Sequence, residues 1–154
     1  MLIAEIAPES RYFEDELRYG TRIEVGKRWL PQGERPVCPV KIGYDFGLLF
    51  VALCPFDGDV FVMFLPNMNV LCFDIFQKSL LEHIAQKTNK SSQETTKSLA
   101  LIMDRASCHT AATQREEIKY VFLPPACPEL NPVERFFKEL RKELKLRVFQ
   151  SLNS

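Results

Sequence analysis

LALIMDRASCH, residues 99–109, is the stretch on which the fold turns. Leu99 to Met103 form a continuous apolar run of the kind that marks a strand covered on both faces, and Asp104 sits at its carboxyl end. In open α/β sheets the crevice outside the carboxyl ends of the strands is where ligands bind, so Asp104 is a candidate site residue. It also has a structural role open to it, because acidic side chains favour turns and caps, and Ser107 and Thr110 follow. His109 comes one turn later, near enough to bond at the same place.

Upstream of this strand, the polar stretch KTNKSSQETTKS has nothing to bury and reads as a solvated loop. Before it, Val70, Phe73, Ile75, Phe76, Leu80, Leu81 and Ile84 recur at helical spacing, predicting an amphipathic helix to about Gln86. The apolar runs Val37 to Leu53 and Val60 to Leu65, separated by the turn-like PFDGD, read as a hairpin. Arg11 to Tyr19 alternates as a strand does. Phe13, Asp15, Leu17 and Tyr19 share one face, while Tyr12, Glu14, Glu16 and Arg18 share the other. That phase puts Asp15, alone of the three neighbouring acids, on the apolar side.

Downstream, Ile118 to Leu123 gives a short strand, PPACPELNP a rigid turn, and Pro132 to about Val148 a helix. Strands first, then strands alternating with helices, predict an α/β fold with a mixed sheet and helices on its faces.

Three carboxylates stand out. Asp15 on a buried side costs several kcal/mol unless something compensates, and a metal ion is a common solution. Asp104 ends the covered strand. Glu134 falls at the third position of the last helix, where with Asn131 as cap and Pro132 in the first turn it can close a capping box. It also borders the stripe Val133, Phe136, Phe137, Leu140, Leu144 and Val148, beside the basic face of Lys138, Arg141, Lys142 and Lys145. A carboxylate at a core edge, next to a phosphate-attracting surface, suits a metal ligand, and capping and ligation can coexist.

The 154 residues, 46% apolar and 26% charged, are enough to bury one core without disulfides or structural metal. The apolar runs are too short for a membrane span and the N-terminus does not read as a signal peptide, so a cytoplasmic protein is expected. Five cysteines without a Cys-x-x-Cys pair argue against a disulfide framework and a zinc ribbon, and Cys108, His109 and Cys127 lack the paired spacing of a zinc site. The net charge of zero counts mildly against nucleic-acid binding, but its distribution is uneven, with acids crowding the start and bases the end.

Four stretches, FEDELRYG around Asp15, KRWLPQGERP at 27–36, LIMDRASCH around Asp104 and FLPPACPELNPVERFFKELRKEL around Glu134, resemble the DDE transposases of bacterial insertion sequences related to the mariner transposons. The LPP-x-x-PELNP-x-E pattern is the most specific of them. The resemblance runs in order over nearly the whole chain and implies a ribonuclease H-like mixed sheet, three antiparallel strands then parallel strands, with helices on both faces. It also implies that residues 1–154 are a transposase catalytic domain without the helix-turn-helix region that reads transposon ends. Asp15, Asp104 and Glu134 match the three metal-binding acids of that family, while Arg105 stands where the family usually has asparagine.

By that resemblance the cofactor is a pair of Mg2+ or Mn2+ ions, which favour carboxylate oxygens. Such a pair, roughly 3.5–4 Å apart, activates an oxygen nucleophile, stabilises the leaving oxygen and neutralises phosphate. Water serves in strand cleavage and the freed 3′-hydroxyl in strand transfer. Arg105, His109, Lys138, Arg141, Lys142 and Lys145 are the expected phosphate contacts. The expected partners are DNA, as transposon ends and target, and a second copy of the chain in an active homodimer, with no membrane and a nucleoid-associated bacterial setting. Two other readings of the same residues are a ribonuclease H-like endonuclease that cuts without joining and an inactive remnant.

Overall fold

A computed structural model of the chain describes residues 5–21, 29–35, 37, 45–88 and 99–144. Strand β1 (Arg11–Gly20) pairs antiparallel with β2 (Phe46–Cys54), which pairs antiparallel with β3 (Asp59–Leu65). On its other side β1 runs parallel to β4 (Leu99–Met103), and β4 runs parallel to β5 (Ile118–Phe122). The sheet order is therefore β3-β2-β1-β4-β5, with β1 in the centre. Helices α1 (Val70–Thr88), α2 (Ser107–Ala111) and α3 (Pro132–Leu144) complete the described elements, with short 3-10 turns at Pro8–Ser10 and Pro128–Leu130.

The β2–β3 hairpin turns as its residues dictate. Gly58 adopts φ 74°, a left-handed conformation that costs glycine little, and its N–H donates to the Cys54 carbonyl. The Asp57 carboxylate accepts from the Asp59 N–H. The second strand begins at Phe46, not at Val37. Val37 lies outside any strand and is exposed, and the prolines at 36 and 39 on either side of it have no N–H to give a ladder. Residues 38–44 of that expected strand lie outside the described residues.

Helix α1 continues one turn's fraction beyond the expected Gln86, to Thr88, because its end is tied to the hairpin. Lys87 pairs with Asp57 at 2.6 Å, and Asp59 takes His83 Nε2 at 3.1 Å and the Tyr12 hydroxyl at 2.5 Å. The rest of the expected polar loop, 89–98, and the end of the last helix, 145–148, lie outside the described residues. No helix among the described residues is long and apolar enough to cross a membrane.

The central sheet has a core on each face. Tyr12, Phe50, Phe73, Phe76, Leu80 and Leu101 pack on the α1 side. Leu17, Leu49 and Val51 pack on the other side against Val133 and Phe137 of α3, with Phe13, Leu53, Phe136 and Leu140 around them. All five residues of β4 are buried, as the unbroken apolar run predicts. The reading of β1 as having one apolar face is corrected by this arrangement. A central strand between two helical layers has two buried faces, and Glu14, assigned to the polar face, is only 1% exposed.

Candidate active site

The parallel register of β1 and β4 sets the site. Phe13 pairs with Ile102, so two residues further along both strands Asp15 stands level with Asp104, just past the end of β4. Asp15 thus projects from the α3 face, where α3 brings in Glu134 from its first turn. The three acids line one cleft of about 430 Å³, together with Arg105, Asn131 and the proline-rich turn after β5. In that turn Ala126 holds φ 57°, a strained conformation for a residue with a β-carbon.

Asn131 fastens α3 to the central strand. Its side-chain amide donates to the Glu14 carbonyl at 3.0 Å and lies 3.4 Å from Asp15 Oδ2, while its Oδ1 caps the helix by accepting the Val133 N–H. One side chain therefore terminates α3 and fixes it beside Asp15. The expected capping box does not form. The Asn131 N–H that Glu134 would reach is already donated to the Pro128 carbonyl in the preceding 3-10 turn. Among the described residues the Glu134 carboxylate makes no hydrogen bond and remains available to the cleft.

The charge distribution is unbalanced. Asp15 has its carboxyl pushed up to about 7, first by burial and then by the negative charges of Glu134, Glu16 and Asp104, against the lowering effect of the Glu16 N–H bonded to Oδ1 at 2.9 Å. Three carboxylates converge with Arg105 as the cation among the described cleft residues. Asp104 Oδ1 accepts the Ala106 N–H at 2.8 Å, while Oδ2 accepts no hydrogen bond among the described residues. Oxygen donors that repel one another and face open space suit a hard divalent cation such as Mg2+ or Mn2+.

Behind the cleft, on the α1 face, lies a second group of titratable residues. His109 is 4% exposed, its ring 4.6 Å from that of Phe73. Its Nδ1 is 3.0 Å from Asp104 Oδ1, and its Nε2 is 2.9 Å from Glu16 Oε1 and 3.4 Å from Glu14 Oε2. The expectation that His109 meets phosphate is corrected by this placement, since both ring nitrogens are engaged within the protein. Burial pulls its pKa down, but Glu16 and Asp104 outweigh that and raise it. Glu14, whose oxygens have no hydrogen-bond partner, is held well above the usual carboxylate range, first by burial and then by Glu16, Asp15 and Asp104.

Glu16, Cys108 and His109 bring their donor atoms within 4.8 Å of one another. Two features argue for an ion pair rather than a zinc site. Two ligands on one tetrahedral zinc stand roughly 3.3 Å apart given bonds near 2.0–2.1 Å, whereas His109 Nε2 and Glu16 Oε1 are at 2.9 Å. The Cys108 thiol is also pushed up to about 11, first by burial and then by Glu16 and Glu14, which keeps it protonated. Cys127 belongs elsewhere, on the cleft wall.

Of the other expected phosphate contacts, Arg105 is exposed at the cleft with its guanidinium 5.9 Å over the Phe122 ring. Lys138 is exposed on α3, Arg141 is half-buried over Phe137, and Lys142 is paired with Glu139 at 2.7 Å. The helix thus neutralises part of its own basic face. Lys145 lies outside the described residues.

Residues 10–154 match the family described as DDE superfamily endonuclease. The chain belongs to the DDE endonuclease superfamily. The protein y4pE/y4sA of Sinorhizobium fredii is 30% identical to this chain over 105 residues, 66% of this chain and 71% of that one. Solved structures share its fold. A pre-cleavage Mos1 transpososome matches with a TM-score of 0.75 at 14% identity, covering 95% of this chain and 46% of that one. A Mos1 mariner paired-end complex with Mn matches with a TM-score of 0.74 at 15% identity over 96% and 46%, and one with Mg with 0.64 at 17% over 93% and 44%. The chain therefore spans under half the length of those transposase chains, and over that span its fold is ribonuclease H-like.

Proposed function

We propose that this DDE endonuclease is the catalytic domain of a transposase, which cuts DNA at transposon ends and joins the freed 3′-hydroxyl to target DNA. Asp15, Asp104 and Glu134 are the ligands of two divalent ions, Mg2+ or Mn2+, in the active complex. The single observation that carries this reading is the convergence of three acids from β1, the end of β4 and the start of α3 in one open cleft, with the Asp15 carboxyl pushed up to about 7 by burial and by the neighbouring negative charges. The ions, when bound, supply charge neutralisation at the phosphate and polarise the attacking and leaving oxygens.

The chain's own residues supply the rest. Asn131 orients Asp15 and holds α3 so that Glu134 faces the cleft. Arg105 meets a non-bridging phosphate oxygen at the cleft mouth, and Lys138 meets the backbone further along α3. Paired-end and strand-transfer complexes of Mos1 share this fold, which supports DNA ends as the substrate here, and the proposed working unit is a pair of protomers.

Glu134→Gln provides the test. Its carboxylate makes no structural bond, so the variant is expected to melt with the wild type while losing Mg2+-dependent nicking and the joining of a pre-cleaved end. Wild-type activity in the variant would remove Glu134 from the site. Nicking without joining by the native protein would make it an endonuclease only.

A further inference from the structure

The inference drawn here rests on the reading of Asp104 as a metal ligand, and concerns how that ligand is held. Asp104 lies past the end of β4, where the ladder no longer fixes its backbone, and its side chain is 64% exposed. An aspartate in that position is free to rotate unless something grips it. The grip comes from behind. Oδ1 accepts from the Ala106 N–H at 2.8 Å and faces His109 Nδ1 at 3.0 Å, and the same nitrogen is 3.3 Å from the Asp104 carbonyl oxygen. Both atoms facing Nδ1 are acceptors only, so Nδ1 carries the hydrogen.

The ring cannot swing away. It is buried against Phe73, and its far nitrogen is held by Glu16 Oε1 at 2.9 Å, a residue on the opposite face of β1 from Asp15. We propose that His109, anchored by Glu16, is a positioning residue for the metal site: it occupies Oδ1 of Asp104 from behind and thereby presents Oδ2 to the cleft. Partners of this kind, which orient a ligand without touching the ion, typically change metal affinity by about 10–100-fold when removed. Glu16 extends the grip to the central strand, so that the two aspartates are set by one rigid strand, Asp15 directly and Asp104 through Glu16 and the imidazole.

Two substitutions at one position separate positioning from packing. In His109→Asn the side-chain nitrogen falls near the place of Nδ1 and keeps the donor to Asp104, while the link to Glu16 is lost. In His109→Gln the nitrogen falls near the place of Nε2 and keeps Glu16, while Asp104 loses its donor. Both remove the ring from Phe73, so both are expected to lower Tm by similar amounts. Mn2+ binding, followed by the electron paramagnetic resonance signal of free Mn2+, is expected to weaken about 3–10-fold for His109→Asn, which loses only the Glu16 anchor, and about 10–100-fold for His109→Gln. Equal affinities in the two variants, or losses that simply follow Tm, would overturn the proposal.

Asp104→Asn run alongside keeps the underlying reading separable. Wild-type Mn2+ binding in that variant would show that Asp104 is not a ligand at all, whatever His109 does. Should His109→Gln fail to fold, Glu16→Ala keeps the imidazole but frees its far end, and is expected to weaken Mn2+ binding about 3–10-fold. Unchanged binding in a folded Glu16→Ala protein would refute the anchoring by Glu16.

Discussion

Replacing Asp15 with asparagine should stabilise the metal-free protein while destroying its site. The folded chain holds the Asp15 proton up to about pH 7, whereas the unfolded chain releases it near 3.8, so between these values the folded state binds more protons and stability falls as pH rises. A tenfold change in proton affinity corresponds to about 1.4 kcal/mol, which sets an upper limit of about 4 kcal/mol for the strain above neutral pH. The cleft is open to water on one side, and screening brings the figure nearer 2 kcal/mol. Asparagine removes this charge, keeps one oxygen for the Glu16 N–H, and gives up the 3.4 Å contact with Asn131 at a cost of about 0.5–1 kcal/mol. The net gain of about 1–1.5 kcal/mol corresponds to a rise in Tm of about 2–6 °C for a domain of this size. Differential scanning calorimetry in chelator at pH 8 should show that rise, shrinking towards pH 5 where the wild-type carboxyl is protonated in the fold. On adding Mn2+ the order should reverse, because ligand binding raises only the wild type. A variant less stable than wild type in chelator at pH 8, or one stabilised equally by Mn2+, would refute the reasoning.

Three further outcomes follow from the geometry. Asn131→Ala removes a helix cap and leaves the buried Glu14 carbonyl without its donor, so chemical denaturation should show a loss of about 2–4 kcal/mol. Glu14→Gln replaces an acid whose burial pushes its carboxyl well above the usual carboxylate range with a neutral amide of the same shape; Tm at neutral pH should change little or rise, and a loss of several degrees would mean that Glu14 is charged in the fold. Arg105→Ala should leave Tm unchanged but reduce the dependence of log Kd on log salt by about one in a DNA-binding titration, as expected for one lost phosphate contact.

Much of this was legible in the residues. The apolar run Leu99 to Met103 announced a covered strand, and its end placed Asp104 at the sheet's carboxyl edge. The PELNP turn and the stripe from Val133 announced α3. What single-strand patterns could not convey was the position of β1 in the sheet. Alternation alone distinguishes two faces but cannot reveal that both are buried, so Glu14 and Glu16 read as solvated when they lie under α1 and α2. The signal that could have found them is Tyr12, a large aromatic in phase with both acids. His109 was legible as a neighbour of Asp104, which is close in sequence, but its link to Glu16 joins distant segments and depends on the tertiary fold. For Glu134 only the capping role is not taken up, because the Asn131 N–H is donated to the Pro128 carbonyl of the 3-10 turn before it.

The pairing of β1 with β4 has a consequence for when the chain becomes capable of chemistry. Asp15 and Asp104 meet only after a long stretch of chain, including the hairpin and α1, has been placed between them, and such non-local pairings are slow steps in assembly. Neither the hairpin nor α3 alone brings the acids together. A nascent or partly unfolded copy therefore has no three-acid cleft, and the arrangement on which the proposed chemistry rests arises only with the finished sheet.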